Sequence, residues 1–108
     1  MGGEFLGEFE QMVLLAILRR GDDAYGWTVA QELETVAERT VSSGALYPPL
    51  DRLEKKGLIR SWTGDGGPAR AGRPRRYLAV TATGARALEH ARSAMDRLWS
   101  SVQLRGIR

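Results

Sequence analysis

The 108-residue chain contains no cysteine and only one histidine. Without cysteine, disulfide bonds and thiolate metal sites are excluded, and a reducing compartment suits the chain. The lone histidine, His90, has no partner at metal-ligand spacing. No apolar run approaches the roughly 18 residues that a bilayer-spanning helix needs, and the first residues lack the basic and then apolar layout of a signal peptide. We therefore expect a cytoplasmic protein with no metal, no cofactor and no membrane association.

Catalytic clusters are also lacking, since no serine, histidine and aspartate pattern suggests a nucleophile beside an ordered base. The sequence is therefore not that of an enzyme. What it does contain is an uneven distribution of charge around a net value of +3. Residues 1–42 hold eight acidic and three basic side chains, whereas residues 43–80 hold eight basic and three acidic ones. This asymmetry favours a surface that binds a polyanion, although arginines that only solvate loops would produce the same count.

Apolar spacing predicts two helices in the first part of the chain. The first helix, over residues 5–18, is apolar nearly all round, so it should be covered on more than one side. A second subunit could provide part of that cover. Asp22 or Asp23 is the expected N-cap of the second helix, which should end near residue 38. Residues 39–41 have the composition of a short strand.

A third helix is expected to begin at Ser42 or Ser43 and to end at residues 55–57. Its inward stripe consists of three leucines: Leu46, Leu50 and Leu53. Pro48 and Pro49 fall well inside this span, where each removes a backbone donor, so we expect a bend there.

Two strands follow at residues 58–62 and 76–80, joined by a loop rich in glycine and proline. Thr81 then opens a last helix that should reach about Leu104. Its apolar residues repeat every seven positions, as in the seam of a helical dimer. Together with the first helix, they make up the predicted dimer interface: Phe5, Phe9, Leu88, Ala91, Met95, Leu98, Trp99 and Val102.

This order of elements predicts a mainly α fold with a small β-wing, namely a winged helix-turn-helix followed by a long dimerisation helix. The boundary between the two parts lies between residues 1–80 and 81–108. In such a module the third helix enters the major groove of DNA, while flanking elements grip phosphates. Arginines on a glycine-rich tip can lie along the backbone or enter a minor groove.

The candidate DNA contacts occupy the start of the second helix, the outward face of the third helix and the wing. They are Tyr25, Ser42, Ser43, Gly44, Tyr47, Pro48, Arg52, Lys55, Arg70, Arg73, Arg75 and Arg76. Two alternatives remain open. The third helix could be an ordinary amphipathic helix with a solvated face, or the domain could be a protein-interaction or RNA-binding winged helix without operator specificity.

Several stretches resemble the PadR family of transcriptional regulators. The most specific is Gly44-Ala45-Leu46-Tyr47-Pro48, followed by Leu50-Asp51-Arg52-Leu53-Glu54 and Lys56-Gly57-Leu58-Ile59. Similar stretches occur at residues 6–18, 23–26, 72–77 and 81–84. A proline after Leu-Tyr is usual in that family's recognition helix, whereas Pro49 departs from the commoner pattern.

The resemblance implies a homodimeric repressor that binds a palindromic operator in double-stranded DNA. The single C-terminal helix corresponds to the short members of the family. Some of these bind flat hydrophobic compounds between the subunits, next to a C-terminal tryptophan. Trp99, with Met95, is therefore the candidate site for a small hydrophobic or phenolic ligand that releases the DNA. Plain packing at the dimer interface is the alternative role for Trp99.

Overall fold

Four α-helices and one antiparallel β-hairpin make up the part of the chain that the computed structural model describes, residues 6–65 and 74–107. The elements are α1 (Glu8–Arg20), α2 (Gly26–Ala37), α3 (Tyr47–Lys55), β1 (Ile59–Asp65), β2 (Pro74–Val80) and α4 (Ala82–Trp99). Short 3-10 turns, Gly21–Asp23 and Gly44–Leu46, precede α2 and α3. The predicted fold class, mainly helical with a small β-wing, is confirmed.

The core lies between α1, α2, α3 and one face of the hairpin. Its largest fully buried side chains are Val13, Leu14, Ile17, Thr28, Val29, Leu46, Leu50, Leu53, Ile59 and Leu78. The leucine stripe predicted for α3 is therefore correct. On α1, by contrast, Leu15 and Leu18 remain about half exposed, at 49% and 50%. One chain alone covers only part of this apolar helix.

The start of α2 differs from the prediction, because neither Asp22 nor Asp23 caps the helix. Tyr25 is the N-cap, and its backbone N–H donates to the Thr28 hydroxyl at 3.0 Å. That hydroxyl donates in turn to the Asp23 carbonyl at 2.5 Å. A buried threonine one turn inside the helix thus satisfies the free amide, while the two aspartates lie exposed in the preceding turn.

Residues 39–41 form no strand, so that prediction was wrong. The extended residues before α2 pair with β2 instead. The Leu78 N–H donates to the Ala24 carbonyl at 3.0 Å, and Tyr25 forms an isolated bridge with Tyr77. The edge of β2 that a third strand would need is therefore already occupied near Tyr77.

The two prolines lie in the first turn of α3 rather than deep inside it. The Gly44–Leu46 turn delays the start of the helix to Tyr47, so Pro48 and Pro49 follow directly. Amides in a first turn have no intrahelical acceptor, and a proline there sacrifices no hydrogen bond. The expected bend is thus replaced by a change from 3-10 to α geometry, with the Ala45 N–H bonded to Ser42 Oγ at 3.1 Å.

The last helix, α4, is joined closely to the hairpin at its beginning. Thr81 is its N-cap and accepts the Gly84 N–H at 3.0 Å. Gly84 is buried, and a Cβ at this position would lie 2.2 Å from the Leu58 carbonyl oxygen. The helix ends at Trp99, earlier than predicted, and Ser101 just beyond it has a φ of 66°. Val102 therefore lies outside the helix, and the expected sevenfold seam is shorter than three heptads.

Candidate nucleic-acid interface

A concave surface opens between the first turn of α2, the start of α3 and the strand β2. It encloses a cavity of about 470 Å³, which we call the α2–α3–β2 cleft. Its lining residues are Tyr25, Gly26, Trp27, Ser43, Tyr47, Leu50, Pro74, Arg75, Arg76 and Leu78. Trp27 and Tyr47 are exposed by 55% and 52%, so two aromatic rings remain accessible beside this cleft.

Arg75 places a cation in the wall of this cleft. Its guanidinium carbon lies 4.1 Å from the centre of the Tyr25 ring, close enough for a cation–π interaction. Its buried Nε has no hydrogen-bond partner among the described residues. The N-terminus of the 12-residue helix α2, with its positive dipole end, lies at the same place. The cleft therefore offers a stacked cation and a helix N-terminus to an anion such as a DNA phosphate.

The outer face of the hairpin carries a row of aromatic and basic side chains. The Trp62 and Tyr77 rings stack at 6.0 Å, and the Tyr77 and Tyr25 rings meet edge to face at 5.9 Å. Arg60 lies 4.8 Å over the Trp62 ring. The rings of Trp62, Tyr77 and Tyr25 form a continuous row from β1 to the start of α2, which we call the aromatic ladder. The Tyr25 ring thus contacts Tyr77 and also the guanidinium of Arg75.

Gly64 makes room for this ladder. A Cβ at position 64 would lie 2.7 Å from the Tyr77 ring, so the ring lies directly over the glycine. The sequence predicts no site role for Arg60, Trp62 or Tyr77, whereas Trp27 is left there between a core position and a contact with the DNA backbone. The alternation of Arg60, Trp62 and Gly64 along a strand was the available signal, because alternate strand residues share a face.

Arg76 points to the opposite face of β2 and contacts α3. Its Nη1 lies 3.1 Å from Asp51 Oδ1, and its Nη2 donates to Glu54 Oε1 at 2.8 Å. The Ser61 hydroxyl donates to the same Glu54 oxygen at 2.8 Å. Hydrogen bonds from Ser61 and then Arg76 hold the pKa of the Glu54 carboxyl below its usual value. We call these four residues the wing–helix network.

The pKa of Arg76 reflects the same contacts. Burial alone would lower the pKa of this guanidinium, but the hydrogen bonds to Glu54 and Asp51 outweigh burial and raise it. Arg76 thus stays protonated and engaged with two carboxylates of α3. From the sequence, Arg76 is predicted to contact DNA like the other wing arginines, whereas in the structure it lies on the opposite face of β2 from Arg75.

The remaining predicted contacts on and before α3 divide between two flanks. Ser43 and Tyr47 line the cleft, and the space around an added Gly44 Cβ is open. Arg52 is exposed on the flank that faces α1. There, burial tends to raise the pKa of Glu10, but a bond from the Gly7 amide and the charges of Lys56 and Arg52 lower it overall.

Four of the predicted DNA contacts have exposed side chains that do not line the cleft. They are Ser42, Pro48, Arg52 and Lys55. Arg70 and Arg73 lie outside the described residues. The structure thus brings Tyr25, Ser43, Tyr47, Arg75 and Arg76 to one cleft, and leaves Arg52 and Lys55 outside its lining.

The predicted dimer residues fall into two groups. Phe9 and Leu88 are partly buried against the core of their own chain, and Ala91 is half-buried. Towards the C-terminus the apolar residues are exposed, with Leu98 at 71%, Trp99 at 53% and Met95 at 51%. Val102, beyond the helix, is exposed by 49%. Phe5 lies outside the described residues.

A second concave surface lies between α1 and α2 and encloses about 420 Å³. We call it the α1–α2 groove. Its lining is mostly apolar and consists of Met12, Leu15, Ala16, Leu18, Arg19, Glu32, Leu33, Val36 and Ala37. Arg19 and Glu32 close one side of it through a 2.6 Å ion pair. Exposed apolar surface of this kind is typical of binding sites.

Within residues 6–65 and 74–107, no cluster of three His, Asp or Glu side chains is arranged to hold a metal ion. None of the helices in the same part of the chain is long and apolar enough to cross a membrane.

In a comparison with known proteins, residues 14–90 match the sequence model of the transcriptional regulator PadR-like family. The transcriptional regulator YqjI of Escherichia coli (strain K12) is 31% identical over 104 residues, which cover 94% of this chain and 46% of that protein. The chain thus spans about half the length of this curated relative.

Two solved structures extend the similarity to the fold. A PadR-like transcriptional regulator from Bacillus cereus is 25% identical, with a TM-score of 0.68 over 86% of this chain and 85% of that one. A Streptococcus transcriptional regulator is 27% identical, with a TM-score of 0.67 and 85% of both chains covered.

Proposed function

Because this chain belongs to the PadR-like family of transcriptional regulators, we propose that it is a sequence-specific repressor that binds a palindromic DNA operator as a homodimer. The observation that carries the proposal is the α2–α3–β2 cleft, where Arg75 stacks on Tyr25 at the N-terminus of α2. Residues 1–80 then form the DNA-binding part, and residues 81–108 the dimerisation part. Since a repressor acts on the chromosome, we place the protein in the cytoplasm. Catalysis is no part of this proposal.

Two kinds of DNA contact are proposed for the cleft, one to phosphates and one to base edges. Arg75 and the first turn of α2 hold a phosphate, which fixes position without reading sequence. Tyr47, half exposed beside the cleft, and Gly44, with open space around it, lie at the start of the helix that enters the major groove. Arg70 and Arg73, which lie outside the described residues, are proposed as further phosphate contacts because of their charge alone.

A second copy of the chain is proposed to cover the exposed apolar residues of α4. Met95, Leu98 and Trp99 are each more than half exposed, which is unfavourable for a helix end left in water. Opposite net charges favour contact between the two copies. Residues 81–108 carry five basic and two acidic side chains, whereas residues 1–42 carry three basic and eight acidic ones. A small hydrophobic or phenolic effector is proposed to bind near Met95 and Trp99 between the subunits.

The phosphate contact is tested by Arg75→Ala. We expect weaker binding to any duplex by a similar factor, and a plot of log affinity against log salt concentration that is flatter by about one unit. Arg92→Ala is the matched control, since Arg92 is a strongly exposed arginine on α4, with 86% of its side chain accessible. It should leave both quantities unchanged. Equal effects of the two substitutions would show that the cleft is not where DNA binds.

Sequence reading is tested by Tyr47→Ala. We expect this variant to lose about 1–3 kcal/mol of binding to the operator, with a much smaller loss on a scrambled duplex. Tyr47→Phe separates the hydroxyl from the ring, because it keeps the packing and removes only the hydrogen-bonding group. Titration of both duplexes at one salt concentration gives the result. Equal losses on operator and scrambled DNA would make Tyr47 a backbone contact and assign sequence reading elsewhere.

A further inference from the structure

We propose that Arg76 is a positioning residue, which fixes the wing against the recognition helix α3, and not a DNA contact. The inference rests on the proposed function, because it assigns Arg76 a role in how the same interface binds DNA. Arg75 and Arg76 are neighbours in sequence and both line the cleft. They nevertheless perform different tasks, since one is stacked on a neutral ring and the other is held by two carboxylates.

The geometry of the wing–helix network is that of a clamp between two elements. The two terminal nitrogens of one guanidinium reach carboxylates three residues apart on α3, at 3.1 Å from Asp51 and 2.8 Å from Glu54. Planar guanidinium groups suit such a double contact, which adds directional specificity to the attraction. Ser61 lies on β1, whereas Arg76 lies on β2, and the Ser61 hydroxyl donates to the same Glu54 oxygen. Both strands of the wing are thereby attached to one turn of the recognition helix.

The same network makes Arg76 a poor phosphate ligand. Two carboxylates face one guanidinium, so the cluster as a whole presents no surplus positive charge to a polyanion. The Arg76 side chain is only 28% exposed, and both of its terminal nitrogens already have acceptors. Arg75, in contrast, has no carboxylate partner among the described residues and lies over Tyr25. Releasing Arg76 to DNA would also leave Asp51 and Glu54 facing the phosphates without a counter-charge.

A double-mutant cycle with Arg76→Gln and Glu54→Gln distinguishes the two roles. The probes are the duplex that the wild-type protein selects from fragmented genomic DNA of its source, and a scrambled duplex of equal composition. If Arg76 positions the wing, each substitution weakens binding to the selected duplex by about five- to tenfold, and the double variant is no weaker than either single variant. The salt dependence stays at its wild-type slope, because no phosphate contact is lost.

A phosphate-binding Arg76 would give a different pattern. Arg76→Gln would then weaken both duplexes and flatten the salt slope by about one unit, while Glu54→Gln, which removes a negative charge near DNA, would bind more tightly. Arg75→Gln is the matched neighbour and should show the flatter slope in either case. A flatter slope for Arg76→Gln, or tighter binding by Glu54→Gln, overturns the proposal.

A measurement without DNA separates this inference from the proposed function. In the free protein, both substitutions should raise the amide hydrogen exchange of β1 and β2 several-fold, while exchange in α1 keeps its wild-type rate. If the wild-type protein selects no duplex, the proposed function fails, but the exchange result still shows whether the clamp exists. Unchanged exchange in the hairpin overturns the clamp. Raised exchange with wild-type binding to the selected duplex overturns its role in DNA recognition.

Discussion

Leu98→Glu is expected to convert the proposed dimer into monomers and to weaken binding to the proposed operator by about 100-fold or more, since a monomer cannot engage two half-sites at once. Leu98 is 71% exposed on α4 in the single chain, and its neighbours Met95 and Trp99 are also exposed. A glutamate at this position would bring an unpaired charge into the proposed interface, where desolvation opposes it. Because Leu98 contributes little to the core of its own chain, the monomer should stay folded. Sedimentation equilibrium and titration with operator DNA give the two results.

The control for this variant introduces the same charge on another face of the same helix. Ser93 is exposed on the polar face of α4, which it shares with Arg92, Arg97 and other charged residues. Ser93→Glu should therefore remain dimeric and bind operator like the wild type. A wild-type protein that sediments as a monomer, or a Leu98→Glu variant that stays dimeric, would contradict the proposed interface. A palindromic operator would then have no structural basis.

Gly84→Ala is expected to lower the free energy of unfolding by about 3 kcal/mol, at the upper end of the usual cost of overpacking. The added Cβ would lie 2.2 Å from the Leu58 carbonyl oxygen and 2.8 Å from a Val80 methyl. The first of these atoms belongs to the backbone, so it cannot move aside without disturbing the hairpin. An alanine normally favours a helix over a glycine, and the expected sign is therefore the reverse of that rule. Thermal and denaturant unfolding measure the change.

Gly44→Ala is the matched control, because an added Cβ there meets no atom within 4 Å. Its stability should stay within about 0.5 kcal/mol of the wild type, as for most surface substitutions. If Gly84→Ala proves as stable as Gly44→Ala, then α4 does not approach the hairpin closely enough to exclude a Cβ at position 84. The orientation of α4 relative to the hairpin would then need revision.

Several elements of the fold follow from local patterns. The leucine stripe of α3 was predictable because its helical spacing continues through the prolines. The effect of the prolines on the helix geometry was not predictable, because the cost of a proline depends on its distance from the start of the helix. Here a 3-10 turn sets that start at Tyr47. Similarly, the N-cap of α2 depends on Thr28, a buried hydroxyl inside the helix. Two exposed aspartates gave the more obvious but incorrect signal.

The candidate site was only partly accessible from the sequence. The chemistry of Tyr25, Ser43, Tyr47 and Arg75 predicts that they contact DNA, and the fold brings them to one cleft although Tyr25 and Arg75 are far apart in the chain. The different environments of Arg75 and Arg76 depend on which face of β2 each residue occupies. That face follows from the strand register, in which Gly64 lies opposite Arg75 and Thr63 opposite Arg76. Composition alone makes the two arginines equivalent.

The most direct test of sequence-specific DNA binding is a titration of the wild-type protein over a series of salt concentrations. One duplex is the sequence selected from genomic fragments, and the other is its scrambled counterpart. For a sequence-specific repressor we predict that binding to the selected duplex is tighter by about 10³-fold or more, and that log affinity falls linearly as log salt concentration rises. Equal affinity for the two duplexes at every salt concentration would contradict it.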